Sequence, residues 1–351
     1  MERLKLGVIG CGIMGTTHAV YADQSPRIDV VAVADVDEKK AQTLADQVKT
    51  AKAYGSAEAL INDDSVDAVV LALPACARTE LALQAFAKGK HVLTEKPVAM
   101  NAAEVEQLIA ARGDLVCACC SSRYQFIPST KIAADFVASG ALGPLREIHL
   151  RHFIPARPKP EKLPPAWRLS KAINAGGILV NWGCYDLDYL LGIAGWSVTP
   201  ERVLAQTWRI APQLASYVPP ESDGETHFAA LVQCRDGCVL NIERAEYAFL
   251  TDDPAWQIIG EKGSLRLHML ITKGKKIMHD YVTEEDGIVS ETLYEGDDNY
   301  DMVNAGPVTD FADAILDGRE PKTTLEKSLV IQKLTDAIYA SAEQGRCVEI
   351  T

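Results

Sequence analysis

The most constraining feature of this sequence is a glycine triplet that follows a short apolar run near its start. In the stretch LKLGVIGCGIMG, residues 4–9 have the length and apolarity of a buried strand, and Gly10, Gly12 and Gly15 follow in G-x-G-x-x-G spacing. Such glycines allow a tight turn, a close approach of pyrophosphate to the backbone, and close packing of helix on strand. A helix is predicted over 16–23, and its N-terminal N–H groups and dipole would attract phosphates.

A second apolar strand, 28–34, ends at Asp35, which lies 20 residues after Gly15. The dinucleotide-binding fingerprint has a carboxylate near this place for the adenine ribose hydroxyls. Asp35 could instead merely start a turn, but strand, loop, helix, strand and acid together favour nucleotide binding. Because a carboxylate here repels a 2′-phosphate, NAD is predicted rather than NADP, although Lys39 and Lys40 could accommodate the phosphate. The residues predicted to contact the cofactor are Gly10, Gly12, Ile13, Met14, Gly15 and Asp35.

Length, charge and cysteine content narrow the class of protein. The 351 residues suggest two domains, and the net charge of −13 argues against nucleic acid and anionic membranes as partners. No apolar run reaches the roughly 18 residues that a membrane helix needs, and no signal peptide is expected because the chain goes straight into a strand. Cys117, Cys119 and Cys120 have no second ligand pair at suitable spacing, so no metal site is predicted. The expected location is cytoplasmic, with reduced thiols.

The first third of the sequence alternates between strand and helix patterns. Strands are predicted at 66–73, 91–94 and 115–120, and helices at 79–87 and 102–112, the latter capped by Asn101. Such alternation predicts a doubly wound parallel sheet with right-handed crossovers. Ligands bind beyond the carboxyl ends of such strands, where the glycine loop and Lys96 would both lie. We therefore expect an N-terminal Rossmann domain over residues 1–122.

After about residue 123 the pattern changes to antiparallel strands. Residues 146–154 alternate cleanly, which predicts a strand with one buried face that includes His152. Short turns link further candidate strands, so a C-terminal α+β domain with a large open, mostly antiparallel sheet is expected over 123–351. The chain ends in two predicted helices, 308–316 and 325–342, which are able to pack back on the first domain. The further candidate strands are 202–210, 226–234, 238–247, 256–259, 264–268 and 276–282.

The segment GGILVNWGCYDLDYLL places three polar residues at i, i+4 and i+7: Asn181, Tyr185 and Asp188. On a regular helix they fall within about 60° of one another and share one stripe. The preceding pair, Gly176 and Gly177, would let another backbone or a ligand come close. An ordinary amphipathic helix with a solvated polar face would give the same spacing.

These motifs together resemble the glucose–fructose oxidoreductase / inositol dehydrogenase / rhizopine-catabolism (Gfo/Idh/MocA) oxidoreductase family over nearly the whole chain. The resemblance implies a dinucleotide-binding domain followed by an open-sheet substrate domain, paired through that sheet into homodimers or homotetramers. The motifs that carry it are GVIGCGIMG, Asp35, GKHVLTEKP from Gly89, SSRYQFIP from Ser121, GGILVNWGCYDLD from Gly176, IIGEKGSLRL from Ile258 and DFADAILDGREPKTT from Asp310.

The resemblance also implies site residues. Lys96 of the Glu-Lys-Pro motif would touch both the substrate and the nicotinamide; the alternative is a solvated lysine just past a strand. Where the family most often has Asp, His and Asp, this chain has Asn181, Tyr185 and Asp188, and Arg78 stands where many members have histidine. Some branches do place tyrosine at the second position. Because a phenol has a reference pKa of about 10, Tyr185 needs a cation such as Lys96 close by to act as a base.

The function predicted from the sequence is hydride transfer between NAD(P) and a secondary alcohol or ketone of a sugar, polyol or sugar derivative. One alternative is elimination or hydrolysis at a sugar through a transient keto intermediate with tightly held NAD, and another is a non-catalytic dinucleotide-gated sensor. Lys96 and Tyr185 are predicted to be catalytic. The predicted substrate contacts are Asn181, Asp188, Arg168 and His152, and Pro74, Glu95 and Lys96 are added to the cofactor contacts.

Overall fold

The computed structural model describes residues 3–48, 51–251 and 254–351, which divide into two compact units. The first unit comprises the described residues of Met1–Arg123 together with Asp301–Leu329, and the second comprises those of Tyr124–Tyr300 and Val330–Thr351. Each unit is built on one sheet.

The first unit contains a parallel sheet of six described strands in the order β3-β2-β1-β4-β5-β6. The strand order reverses between β1 and β4, which is where ligands bind in open α/β sheets. The doubly wound parallel sheet predicted from the sequence is confirmed. Its strands are β1 (Leu4–Ile9), β2 (Ile28–Ala34), β3 (Lys52–Tyr54), β4 (Ala68–Leu71), β5 (His91–Thr94) and β6 (Cys117–Cys119).

Helices cover both faces of this sheet, and an apolar cluster fills each side. The predicted cap of α5 is confirmed, since the Asn101 side chain accepts a 3.0 Å hydrogen bond from the Glu104 N–H. In chain order the helices of the protein are α1 (Ile13–Asp23), α2 (Glu38–Val48), α3 (Ala57–Ile61), α4 (Arg78–Ala87), α5 (Ala102–Arg112), α6 (Pro128–Ala138), α7 (Lys171–Asn174), α8 (Cys184–Ile193), α9 (Tyr300–Asp317) and α10 (Leu325–Gln344).

The second unit contains a sheet of nine described strands in the order β14-β13-β12-β11-β7-β10-β9-β8-β15. Adjacent strands in this sheet pair antiparallel, except that β7 and β10 pair parallel. The predicted open, mostly antiparallel sheet is therefore confirmed. Its strands are β7 (Leu145–Pro155), β8 (Pro200–Trp208), β9 (His227–Cys234), β10 (Val239–Ala248), β11 (Ala255–Gly260), β12 (Gly263–Leu267), β13 (Lys275–Thr283), β14 (Gly287–Gly296) and β15 (Val348–Glu349).

Some elements differ from the sequence prediction for physical reasons. Strands β3, β14 and β15 were not predicted; β3 and β15 are short, and β14 is mostly exposed, so it lacks a period-two apolar signal. Helix α9 begins at Tyr300, eight residues before the predicted start, and it contains Pro307. Proline normally marks a helix boundary because it has no N–H, but Val303 and Gly306 on its N-terminal side are buried, and their packing extends the helix.

Within the described residues, no helix has both the length and the apolarity to cross a bilayer. The cytoplasmic location and the homo-oligomer stay predictions.

Candidate active site

The glycine loop between β1 and α1 is packed so tightly that two of its positions have no room for a side chain. Gly10 has a φ of +94°, and a Cβ there would lie 2.4 Å from the Ala72 carbonyl oxygen. A Cβ on Gly15 would lie 1.7 Å from the Gly10 carbonyl oxygen. These glycines are required by the approach of β1, β4 and α1 to one another.

Gly12 differs from Gly10 and Gly15 because it borders open space. No described heavy atom lies within 4 Å of the place that a Cβ on Gly12 would take. Gly12 is the N-cap of α1 and has no side chain to accept from the helix N–H groups, and the following Ile-Met-Gly-Thr carries no carboxylate. Ile13 is 87% exposed, while Met14 is half-buried. An open helix N-terminus with an apolar side chain beside it fits a bound dinucleotide phosphate.

Asp35 is fixed to this loop through both carboxylate oxygens. The Cys11 N–H donates to Oδ2 at 2.8 Å, and the Asp37 N–H donates to Oδ1 at 2.9 Å. Asp35 thus begins a turn, which was the alternative to nucleotide binding in the sequence analysis. It also faces the glycine loop, which is the position that the dinucleotide-binding fingerprint requires. A carboxylate oxygen can accept two hydrogen bonds, so both oxygens of Asp35 have capacity left for ribose hydroxyls. Burial and the Asp35 charge raise the pKa of the Cys11 thiol to about 12.

The remaining predicted cofactor residues follow β4 and β5. Pro74 is exposed and precedes a short 3₁₀ turn, Ala75–Ala77. The Glu95 N–H continues the pairing of β5 with β4 by donating to the Leu71 carbonyl at 3.2 Å. Lys96 comes next, is half-buried, and is joined to Pro97 by a cis peptide bond.

Glu95 belongs to a buried cluster in the first unit. His18 Nε2 lies 2.9 Å from Glu95 Oε1 and 3.6 Å from the Cys120 sulfur, and Arg123 Nη2 lies 3.7 Å from the same carboxylate oxygen. Burial opposes ionisation of Glu95, but the His18 hydrogen bond and the charges of Arg123 and Lys96 outweigh it and lower its pKa. Glu95 is therefore an ionised carboxylate inside the protein.

The same cluster brings three potential metal ligands together, because atoms of His18, Glu95 and Cys120 lie within 4.8 Å of one another. One property disfavours a cation there. The Arg123 guanidinium already supplies positive charge beside the carboxylate. The absence of a bound metal stays a prediction.

In the second unit, the helix predicted near residue 180 is not regular throughout. Leu179–Gly183 is a π-helical turn, which runs directly into α8. The assumed rotation of about 100° per residue is therefore wrong for the turn that carries Asn181, although Tyr185 and Asp188 both lie on α8. A π turn widens the helix, and such turns occur frequently at functional sites.

The two glycines before this turn admit protein groups. A Cβ on Gly177 would lie 1.9 Å from the Glu225 carbonyl oxygen, and a Cβ on Gly176 would lie 1.9 Å from the Tyr339 hydroxyl. Glu225 then accepts hydrogen bonds of 3.0 Å from the Gly177 and Leu179 N–H groups and of 2.9 Å from the Tyr339 hydroxyl. The sequence predicts either another backbone or a ligand close to these glycines. Within the described residues, a backbone lies close to Gly177.

Glu225 is a site residue that the sequence analysis missed. Its side chain holds the start of the segment that carries Asn181 and Tyr185. Burial raises its pKa against the opposing effect of these hydrogen bonds. Its sequence surroundings, ESDGETHF, are polar and give no sign that the carboxylate is buried.

Asn181 and Arg168 are brought together. The Asn181 amide donates to the Arg168 carbonyl at 2.5 Å and accepts from the Asn174 amide at 3.1 Å. The Arg168 guanidinium in turn donates to Glu246 at 2.6 Å. Asn181 thereby orients the backbone of a residue whose side chain pairs with a buried carboxylate.

The polar residues of the π turn and of α8 are not solvated. Asn181, Tyr185 and Asp188 are 5%, 6% and 0% exposed, so the alternative of a solvated polar face is wrong. The Tyr185 ring lies edge-on to Tyr124 and to Trp182, with centroids 5.7 and 5.8 Å away. Asp188 accepts from the Gln125 amide through its carbonyl at 2.5 Å and its Oδ1 at 3.2 Å.

Helix α8 is anchored to the sheet by the residue after Tyr185. Asp186 accepts hydrogen bonds from the Arg244 guanidinium on β10 and, at 2.9 Å, from the Trp256 indole on β11. The guanidinium also lies over the Trp182 ring, 4.8 Å from its centroid. These buried contacts fix the position of Tyr185 on the sheet, and nothing in the local sequence pattern predicted them.

His152 lies on the buried face of β7, as the alternation predicted. Its ring centroid is 5.1 Å from that of Trp256. Burial, then the positive charges of Arg244 and His268, lower its pKa to about 3. The imidazole is therefore uncharged at neutral pH, and its ring packs against the core at Trp256.

Two protein-family models match this chain. "Oxidoreductase family, NAD-binding Rossmann fold" matches residues 4–120, and "GFO/IDH/MocA C-terminal domain" matches residues 130–266. D-xylose 1-dehydrogenase (NADP(+)) 2 of Haloferax volcanii is 27% identical over 351 residues, which are 99% of this chain and 100% of the relative. Inositol 2-dehydrogenase 2 of Saccharopolyspora erythraea is 29% identical over 268 residues, which are 76% and 73% of the two chains.

Among solved structures, a levoglucosan dehydrogenase in complex with NADH and levoglucosan has the same fold. It superposes with a TM-score of 0.86 at 20% sequence identity, over 99% of this chain and 100% of the other.

Proposed function

Because the chain belongs to the GFO/IDH/MocA family of NAD(P)-dependent oxidoreductases, we propose that it is an NAD-dependent dehydrogenase of a sugar, polyol or sugar derivative. The proposal rests mainly on the open N-terminus of α1 at Gly12. The preceding residue, Cys11, donates the N–H hydrogen bond that fixes Asp35. A bound nicotinamide dinucleotide would supply the acceptor for a hydride from the carbinol carbon. The relatives named xylose and inositol dehydrogenases support a polyhydroxylated substrate.

NAD is proposed rather than NADP because of Asp35. Its carboxylate is held toward the glycine loop by the Cys11 N–H, and a 2′-phosphate would meet that charge. Lys39 and Lys40 are exposed on α2, and the Lys40 ammonium lies 3.8 Å from Asp37. The Haloferax relative is named as an NADP enzyme, so a direct comparison of the two cofactors is needed.

For the chemical step, we propose that Tyr185 takes the proton of the substrate hydroxyl. Its ring is held between two aromatic neighbours and its helix is tied to the sheet, which favours a fixed phenol position. Lys96 is proposed to orient the reacting oxygen and to lower the pKa of that phenol. Asn181, Asp188, Arg168 and His152 are proposed to arrange the substrate's other hydroxyls, directly or through their neighbours.

The test is a spectrophotometric screen of the purified protein with NAD or NADP. The substrates are D-xylose, D-glucose, myo-inositol and D-gluconate, and the signal is the absorbance of the reduced nicotinamide. Net reduction of NAD with one of these supports the proposal. Sugar conversion without net reduction, with NAD released on denaturation, would replace it by the elimination chemistry. NAD binding without turnover on the whole panel would favour a sensor.

A further inference from the structure

We propose that His18 is a positioning residue, which acts through the carboxylate of Glu95 to hold the backbone of Lys96. The inference rests on the proposed function, because the placement of Lys96 by His18 affects turnover only if Lys96 takes part in the reaction.

The carboxylate of Glu95 joins two groups within the first unit. On one side, His18 Nε2 lies 2.9 Å from Oε1; since an ionised carboxylate only accepts, Nε2 carries the proton and donates it. On the other side, the Lys96 N–H donates to Oε2 at 3.2 Å. His18 is on α1, one turn after Gly15, and Lys96 is the second residue after β5. One carboxylate thus connects the proposed phosphate-binding helix to the main chain of Lys96.

Burial makes this connection sensitive to the loss of one donor. His18 is fully buried and the Glu95 side chain is 8% exposed, so water offers little replacement for a lost hydrogen bond. The Arg123 guanidinium neutralises charge from 3.7 Å, but that distance is longer than a hydrogen bond. Without the His18 donor, the carboxylate would turn toward the remaining cations, and the bond to the Lys96 N–H would weaken.

A positioning role predicts a specific kinetic signature. A small displacement of Lys96 lowers the rate of the chemical step, since catalysis depends steeply on the placement of reacting groups. The glycine loop and Asp35 supply most of the predicted NAD contacts, and this displacement leaves them in place. The affinity for NAD should therefore change less than kcat, although Lys96 is itself a predicted cofactor contact. A purely structural role would instead lower the thermal stability and the affinity for NAD together.

The experiment compares His18→Leu, which has no donor, with His18→Gln, whose side-chain amide nitrogen has a reach similar to that of Nε2. Turnover is measured with NAD and the best sugar of the screen. We expect His18→Leu to lower kcat about tenfold or more, with KM for the sugar and Kd for NAD within about threefold, and His18→Gln to restore most of the loss. Cys120→Ala is the matched control, because it changes the same cluster without removing a donor to Glu95, and it should leave kcat nearly unchanged.

A double-mutant cycle tests whether His18 acts through Glu95. Glu95→Gln offers one acceptor oxygen in place of two, so it disturbs the same connection. If the pair acts as a unit, the double variant His18→Leu/Glu95→Gln loses no more kcat than the worse single variant. Losses that multiply would overturn the proposal, as would an unchanged kcat in His18→Leu.

If His18→Leu does not fold, His18→Asn takes its place, because its shorter amide does not reach Glu95. Equal kcat in His18→Asn and His18→Gln would then overturn the proposal. Failure of this inference can be distinguished from failure of the proposed function. If the proposed function is wrong, Lys96→Ala leaves kcat unchanged or the screen finds no turnover. NAD affinity can still be measured in the His18 variants in that case.

Discussion

The backbone N–H of Cys11 donates a 2.8 Å hydrogen bond to the carboxylate of Asp35 and so joins the glycine loop to the end of β2. A second N–H, from Asp37, fixes the other carboxylate oxygen. The orientation of this acid is therefore set before any ligand arrives. Such preorganisation reduces the entropy lost on binding, and we expect the choice between NAD and NADP to depend on this side chain.

Replacement of Asp35 should change the cofactor preference. Asp35→Ser removes the charge that would repel a 2′-phosphate and the acceptor for the ribose hydroxyls. We expect kcat/KM with NAD to fall by about 10- to 100-fold, since hydrogen bonds to a charged group are worth roughly 1.5–3 kcal/mol, and the ratio of NADP to NAD use to rise. Asp37→Ser, which changes an exposed neighbouring acid, is the control. An unchanged ratio in Asp35→Ser would contradict the assignment.

Two glycines of the loop should respond differently to alanine. Gly15→Ala places a methyl group 1.7 Å from a backbone oxygen, so overpacking should destabilise the protein by about 1–3 kcal/mol or more. Gly12→Ala meets no described atom and has an allowed φ of −78°, so the melting temperature should hardly change while NAD binding weakens. Thermal unfolding and NAD titration of both variants measure these effects. Full NAD affinity in Gly12→Ala would show that the opening is not the phosphate site.

Loss of the Tyr185 hydroxyl should affect turnover and little else. Tyr185→Phe keeps the ring contacts with Tyr124 and Trp182 but removes the proposed proton acceptor, so kcat should fall by about 10²- to 10⁴-fold. NAD affinity and melting temperature should stay close to those of the parent. Tyr189→Phe removes a buried hydroxyl one turn later on the same helix and serves as the control. Equal activity of the two variants would exclude the base assignment.

His152 should make stability depend on pH in a defined window. Its folded-state pKa of about 3 lies below the usual 6.5, so the unfolded chain binds the extra proton between these values. The stabilisation is complete above pH 6.5 and is lost as pH falls toward 3, with a slope of up to about 1.4 kcal/mol per pH unit. His152→Phe should therefore lose less melting temperature than the parent between pH 7 and pH 4.5. Parallel curves would contradict a buried, neutral imidazole.

The sequence alone was enough to predict the features that depend on the spacing of residues within single strands, helices and loops. The spacing of Gly10, Gly12 and Gly15 and the apolar periods of the strands predicted the doubly wound sheet, the open second sheet and the family, because these signals lie within single elements. Short or exposed strands such as β14 gave no signal, since no apolar face is needed where a strand stays in water. The catalytic roles of Lys96 and Tyr185 stay predictions.

Only the tertiary structure decided which polar groups support the proposed site. The hydrogen bond from His18 to Glu95 spans 77 positions, and that from Tyr339 to Glu225 spans 114. The start of the π turn over Leu179–Gly183 is likewise held by a residue 46 positions away, since the Leu179 N–H donates to the Glu225 carboxylate. No periodicity records such pairings, because burial of a charged group becomes favourable only when folding brings its partners within hydrogen-bonding distance.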